Sequence, residues 1–200
     1  MKKRIFVLIA CFIGAASVSH AENVPLDSVK TFFDDGSVAR IYTVRKGTDI
    51  REGVSLSYHP NGKVAIEAPY KNGKLDGVFR SYYENGNLWQ TAGFVDGNED
   101  GASTDYYESG LKKSREIYDK GLLNGMSEEW NEKGVVWRRI PYVKGRVDGV
   151  AKIFDELGAL KEEMTFEKGL RHGPYRRYSK GVKVFEAEFE KNRCVKNCDF

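Results

Sequence analysis

Residues 70–94 read YKNGKLDGVFRSYYENGNLWQTAGF, and most of the chain is that stretch written again. Rows laid out from Tyr70, Phe94, Tyr118, Tyr142, Phe166 and Phe189 are 24, 24, 24, 24 and 23 residues long. Each full row opens on an aromatic, then carries a glycine, a second glycine four residues on, an aromatic five after that, and a third glycine. In the first full row these are Gly73, Gly77, Tyr82 and Gly86; the later mid-row aromatics are Tyr106, Trp130, Phe154 and Tyr178. An earlier row from Tyr42 carries Gly47, Gly53, Tyr58 and Gly62, with two extra residues before its first glycine and two before its second. Phe33-Asp34-Asp35-Gly36 reads as the back half of one more row. Self-similarity at a fixed period of this size marks a solenoid or array.

The punctuation between the rows indicates strands. Asp76-Gly77, Asp100-Gly101, Asn124-Gly125 and Asp148-Gly149 are dipeptides that accept positive φ at both centres of a tight hairpin turn. A second turn is expected at Glu84-Asn85-Gly86 and its counterparts. Between turns lie runs of about seven to ten residues rich in Tyr, Phe, Val and Trp, the length and composition of strands. Each row is thus expected to form one β-hairpin. A lone hairpin is marginal in water, so the rows must stack to share a core. The expected fold is all-β: an elongated single-domain solenoid of stacked antiparallel β-hairpins, about six rows spanning on the order of 55–60 Å.

Residues 1–21 have the form of a secretory signal peptide. Lys2-Lys3-Arg4 precedes the apolar run Ile5 to Val18, and Ser19-His20-Ala21 places small residues where a signal peptidase reads them, with cleavage between Ala21 and Glu22. Leu8-Ile9-Ala10-Cys11 matches a lipobox, but anchoring at Cys11 leaves only six apolar residues ahead of the cleavage site and is the weaker reading. The expected location is the periplasm or outside the cell. Residues 22–30 read as a leader, 31–189 as the repeat domain and 190–200 as a tail. Without the signal the chain balances at 29 basic and 29 acidic residues, which argues against a nucleic-acid surface and against electrostatic attachment to anionic lipid. The two remaining cysteines, Cys194 and Cys198, are an even count in an oxidising compartment. A disulfide between them would close a short loop and contribute about 2 kcal/mol.

The rows resemble the MORN repeat, specifically its bacterial variant in the YwqK-type proteins labelled antitoxins, over roughly residues 31–189. The pattern that carries the resemblance is aromatic-x-x-Gly-x-x-x-Gly, then an aromatic, then x-x-x-Gly. It implies a fold of stacked hairpins and, through the label, an inhibitory protein partner; it carries no catalytic residue onto this sequence. The Gly-x-Trp pairing of the eukaryotic repeat is missing here.

Motifs for chemistry are missing too. There is no G-x-S-x-G, H-E-x-x-H, P-loop or G-x-G-x-x-G. His59 and His172 lie in different rows at turns, without partners at a ligand or nucleophile spacing. Neither cofactor nor metal is expected. The acidic column Glu84, Glu108, Glu132 and Glu156 places single carboxylates about 10 Å apart, too far to share one ion, and reads as a solvated turn edge. Row-start and mid-row aromatics are expected in the core. Trp89, Trp137, Tyr83, Tyr107 and Tyr175 lie off those columns and are the candidate binding surface, the alternative being cross-strand packing. The expected function is that of a non-catalytic module whose extended face binds a partner protein. The competing reading is an adaptor for cell-wall glycan. Open sheet edges also suggest weak homodimerisation through the first row.

Overall fold

The structure, a computed structural model, describes residues 24–199; the Ala21–Glu22 cleavage site and Cys11 lie outside the described residues. From Leu26 onward the chain is strand and turn, in 18 strands of one sheet. They are β1 (Leu26–Phe32), β2 (Val38–Arg45), β3 (Gly53–Tyr58), β4 (Val64–Lys71), β5 (Lys74–Leu75), β6 (Gly77–Tyr82), β7 (Leu88–Val95), β8 (Asn98–Tyr106), β9 (Lys112–Asp119), β10 (Leu122–Leu123), β11 (Gly125–Trp130), β12 (Val136–Val143), β13 (Arg146–Val147), β14 (Gly149–Phe154), β15 (Leu160–Glu167), β16 (Leu170–Ser179), β17 (Val182–Glu190) and β18 (Arg193–Lys196). Successive long strands pair antiparallel throughout, and the two-residue strands β5, β10 and β13 fold back on β4, β9 and β12, which go on to pair with β6, β11 and β14. The all-β fold of stacked hairpins is as expected.

The register repeats with the sequence. The second glycine of each row faces the next row-start aromatic: Gly77 opposite Phe94, Gly101 opposite Tyr118, Gly125 opposite Tyr142, Gly149 opposite Phe166. This corrects the early rows. A Cβ built on Gly77 would meet Pro69, immediately before the row start Tyr70, and one built on Gly53 would meet Thr43, immediately before Val44. Val44 therefore holds the row-start place, three residues before Gly47 as Tyr70 is before Gly73. It is buried, whereas Tyr42 sits two residues earlier on the same face. Only one two-residue insertion remains, between Gly47 and Gly53. There the Arg51 guanidinium lies 4.9 Å from the Tyr42 ring centroid and 5.0 Å from that of Tyr70. Upstream, β1 starts at Leu26 and pairs along its length with β2, so half of the expected leader is strand. At the other end β18 continues the sheet from β17, and Cys194 and Cys198 form a disulfide with their Cα atoms 5.8 Å apart.

The tight turns are not where the Asp-Gly dipeptides suggested. Both central residues have positive φ at Asn72-Gly73, Asp96-Gly97, Lys120-Gly121, Lys144-Gly145 and Lys168-Gly169, around the first glycine of each row, the signature of a type I′ hairpin turn. At the second glycine only the glycine is left-handed, and the preceding residue keeps ordinary backbone. Asp76 N–H donates to the Pro69 carbonyl and Asp148 N–H to that of Pro141, both at 3.0 Å, so the strand jogs there without reversing. The acidic or amide side chain before that glycine has a different task. Asp76 Oδ2 accepts from the Asp96 N–H at 3.2 Å, Asp100 Oδ2 from Lys120 N–H and Asn124 Oδ1 from Lys144 N–H at 3.3 Å. Each caps the type I′ turn of the next row.

Successive side chains alternate between faces. One face collects the row-start column together with Val44, Ala68, Ala92, Ala187 and Phe189, which are the buried apolar residues, and with the buried Ser55, Ser81, Ser103 and Ser127. Small residues in mid-strand let the row-start rings and long neighbours fold over them; Phe79 packs edge-on against Phe94 at 6.2 Å. The core is this thin seam. Among the described residues no large side chain is fully buried, because one layer of sheet has nothing packed against it.

The opposite turn edge, at the third glycines, is also stitched. His59 Nε2 lies 2.9 Å from the Tyr82 carbonyl; the Tyr83 hydroxyl donates to the Tyr106 carbonyl and the Tyr107 hydroxyl to the Trp130 carbonyl, each at 2.8 Å. Two outcomes are expected. Tyr107→Phe keeps the ring but leaves the Trp130 carbonyl without its donor, and should lower unfolding free energy by about 1 kcal/mol in a urea titration. Gly93→Ala should cost more, about 2–4 kcal/mol, since a Cβ there would lie 2.2 Å from the Asp100 carbonyl oxygen and must displace backbone.

Candidate binding surfaces

The five off-column aromatics do not form one surface. Tyr83 and Tyr107 are half-buried and spend their hydroxyls on the next row, which makes them mortar between rows in the first place. Trp89 is 54% exposed and its ring is tilted against that of Tyr83, centroids 6.1 Å apart. Trp137 is half-buried, with the Arg138 guanidinium 5.1 Å from its ring centroid. Tyr175 belongs to the seam face, where its hydroxyl donates to Glu162 at 3.3 Å and its ring meets Phe185 edge-on. The binding-surface reading thus retains Trp89 and Trp137, and cross-strand packing describes Tyr175.

Trp137 lines an open hollow of about 480 Å³ at the third-glycine edge, with Tyr107, Phe154, Asn131, Asp155 and Lys161 around it. A second hollow of about 270 Å³ lies on the seam face between Ile140, Met164 and Phe166, with Arg138 and Arg171 at its sides. Sequence reading passed over Asn131 and Asp155. The signal was present: the residue opening the third-glycine turn runs Phe33, His59, Tyr83, Tyr107, Asn131, Asp155, so a ring gives way to short polar groups in the last two places. The acidic column lies on this edge with Glu84, Glu108, Glu132 and Glu156 exposed. Backbone atoms of that column are used, as Asn61 Nδ2 donates to the Glu84 carbonyl and Asn87 Nδ2 to that of Glu108.

The face away from the seam carries two longitudinal bands that no row shows by itself. Along its middle, cross-strand neighbours of opposite charge meet: Glu67 and Arg80 at 3.7 Å, Glu128 and Arg139 at 2.9 Å, Arg176 with Glu163 at 2.9 Å and with Glu186 at 3.1 Å. Burial alone would push the Glu163 carboxyl up, but hydrogen bonds from Arg176 and Tyr178 outweigh it and hold the group below the ordinary carboxylate range. Beside this ladder runs an apolar band on the residue after each second glycine: Val54, Val78, Met126 and Val150 are 56, 48, 41 and 40% exposed.

On the seam face Glu99 is held above the ordinary carboxylate range, mainly by burial and then by the nearby Glu116 and Asp105 carboxylates. Tyr118, half-buried and donating to Glu116 Oε2 at 2.9 Å, is likewise pushed up. A carboxyl whose folded pKa exceeds its unfolded value is least costly when protonated, so its penalty grows as pH rises through that titration and disappears on acidification. Glu99→Gln is therefore expected to melt about 1–3 °C higher than the parent at pH 7, the gap closing as pH falls below the ordinary carboxylate value of 4.5; thermal melts across pH 3–8 check this.

No described helix is long and apolar enough to cross a membrane. No curated protein matches the chain. The family model described as MORN repeat variant matches residues 51–72, 75–96 and 147–168. Each matched segment spans one unit of the structure, from the second-glycine jog through two paired strands to the type I′ turn or its approach. The matched segments are thus similar to MORN repeat variants, and the rows between them share the same strand register.

Proposed function

We propose that the chain is a non-catalytic binding module, exported by its N-terminal segment, that meets a partner protein with the sheet face opposite the seam. Repeats of this type often serve as binding modules. The observation that carries the reading is the band Val54, Val78, Met126 and Val150, left exposed beside a ladder of paired charges. An apolar strip with a polar border has the anatomy of an interface, and a contiguous exposed strip is seldom left without use. The border pairs are solvated and add little to stability; their place is in orienting a partner. If the partner is a toxin, as the antitoxin label of the resembling proteins suggests, export restricts it to one acting in the envelope. The exposed Trp89, its ring tilted against the half-buried Tyr83, favours the second reading, glycan binding, since flat rings stack on sugars.

The test is a native pull-down of tagged full-length protein from the host's envelope fraction, alongside the double variant Val78→Asp with Met126→Asp. One stoichiometric protein is expected with the parent and at least tenfold less with the variant, both melting alike. Equal recovery by the two rejects this face. Sedimentation with isolated sacculi and no protein partner replaces the reading by the glycan one.

A further inference from the structure

The hollow beside Trp137 exists because the repeat changes there. In two successive rows a tyrosine opens the third-glycine turn, lays its ring across to the next row and donates its hydroxyl to that row's mid-row carbonyl: Tyr83 to Tyr106, Tyr107 to Trp130. The next residue in the series is Asn131. Its Oδ1 turns inward to accept from the Lys133 and Val135 N–H groups at 3.0 Å, and the side chain is too short to reach the following row. Among the described residues no side chain donates to the Phe154 carbonyl, the acceptor that a ring at this place would use. Asp155, next in the series, likewise folds its Oδ1 onto Leu157 and Ala159 N–H at 2.9 Å. What remains is a space of about 480 Å³ walled by Tyr107, Trp137 and Phe154 and edged by Asn131, Asp155 and Lys161.

We infer that this hollow is a seat for a tyrosyl side chain supplied by the partner protein. The chain shows what fits, since it fills the two equivalent places with phenol rings of its own. The walls Tyr107, Trp137 and Phe154 are themselves aromatic, and offer faces and edges against which a further ring can pack. A phenol entering as Tyr107 enters the place before it would present its O–H to the Phe154 carbonyl, and a ring without a hydroxyl would leave that acceptor unsatisfied. Seats of this kind, central to an anchor and rimmed by polar groups, are where tyrosine concentrates binding energy. The inference deepens the partner-binding reading and rests on it, placing one anchor point on the turn edge, apart from the sheet face.

The test uses the full chain, 15N-labelled, with N-acetyl-tyrosinamide, N-acetyl-phenylalaninamide and methyl glucoside as probes and the Trp137 indole N–H resonance as readout. The tyrosine probe is expected to shift Trp137 and leave Trp89 unmoved, and the phenylalanine probe to bind at least fivefold more weakly. Asn131→Tyr, filling the seat from within, should abolish the shift while circular dichroism and the melting midpoint show an intact sheet. Asn131→Ala loses the same turn bonds without filling the seat, and its continued binding assigns the loss to occupancy. No shift with the tyrosine probe, a stronger response to methyl glucoside, or equal binding by the Asn131→Tyr protein overturns the inference. In the pull-down, a partner recovered equally by Asn131→Tyr overturns the seat and leaves the broader reading standing.

Discussion

The pairing of each row with the next, in a sheet with no second layer, is the constraint on which everything else depends. Backbone hydrogen bonds run down the middle of the strands, and both turn edges add a side-chain stitch. Asp76, Asp100 and Asn124 cap the following type I′ turn on one edge; Tyr83 and Tyr107 reach the following mid-row carbonyl on the other. Every such contact joins adjacent rows. Stability is then a sum of unit and nearest-neighbour terms, and the apolar contribution is confined to the seam of small residues under the row-start rings. Fifteen strands longer than two residues, at about 4.8 Å apart, make a ribbon on the order of 70 Å along the stack.

A ribbon of this kind separates what must repeat from what is free to vary. The glycines and capping groups recur because a type I′ turn and a strand jog each need one particular backbone. The face away from the seam is under no such demand, and there the sequence builds a ladder of alternating charge that also crosses between rows, Glu67 with Arg80 and Glu163 with Arg176. Where an edge place that usually holds a ring holds Asn131 or Asp155, a stitch is lost and a hollow is gained. Breaks in the repeat are therefore as informative about function as the repeat itself.

Much of the architecture is legible in the sequence. The 24-residue period, two strands per row, the turn positions to within a few residues and the cysteine pair follow from spacing and composition. The misreadings share a cause. Asp76-Gly77 looks like a hairpin turn by local propensity, yet the turn forms at Asn72-Gly73, and Lys120, Lys144 and Lys168 take left-handed backbone despite poor intrinsic preference. Pairing with the neighbouring row decides, and the Asp is wanted as an acceptor for that neighbour. Tyr42 looks like a row start because it is aromatic; the register gives the place to Val44, and a buried valine fills it because burial is the requirement. The strand Leu26–Phe32 was hidden in a leader because an edge strand exposed on both faces shows no alternation.

The sequence by itself determined the repeat, its length and the alternation of strand and turn, since each is encoded within one row by glycines, aromatics and polar turn residues. Only the tertiary structure decided which glycine turns the chain, which face each side chain joins, and which rings serve as mortar and which remain open beside Trp137. Those outcomes depend on register between rows, a relation across more than twenty residues that no local pattern specifies.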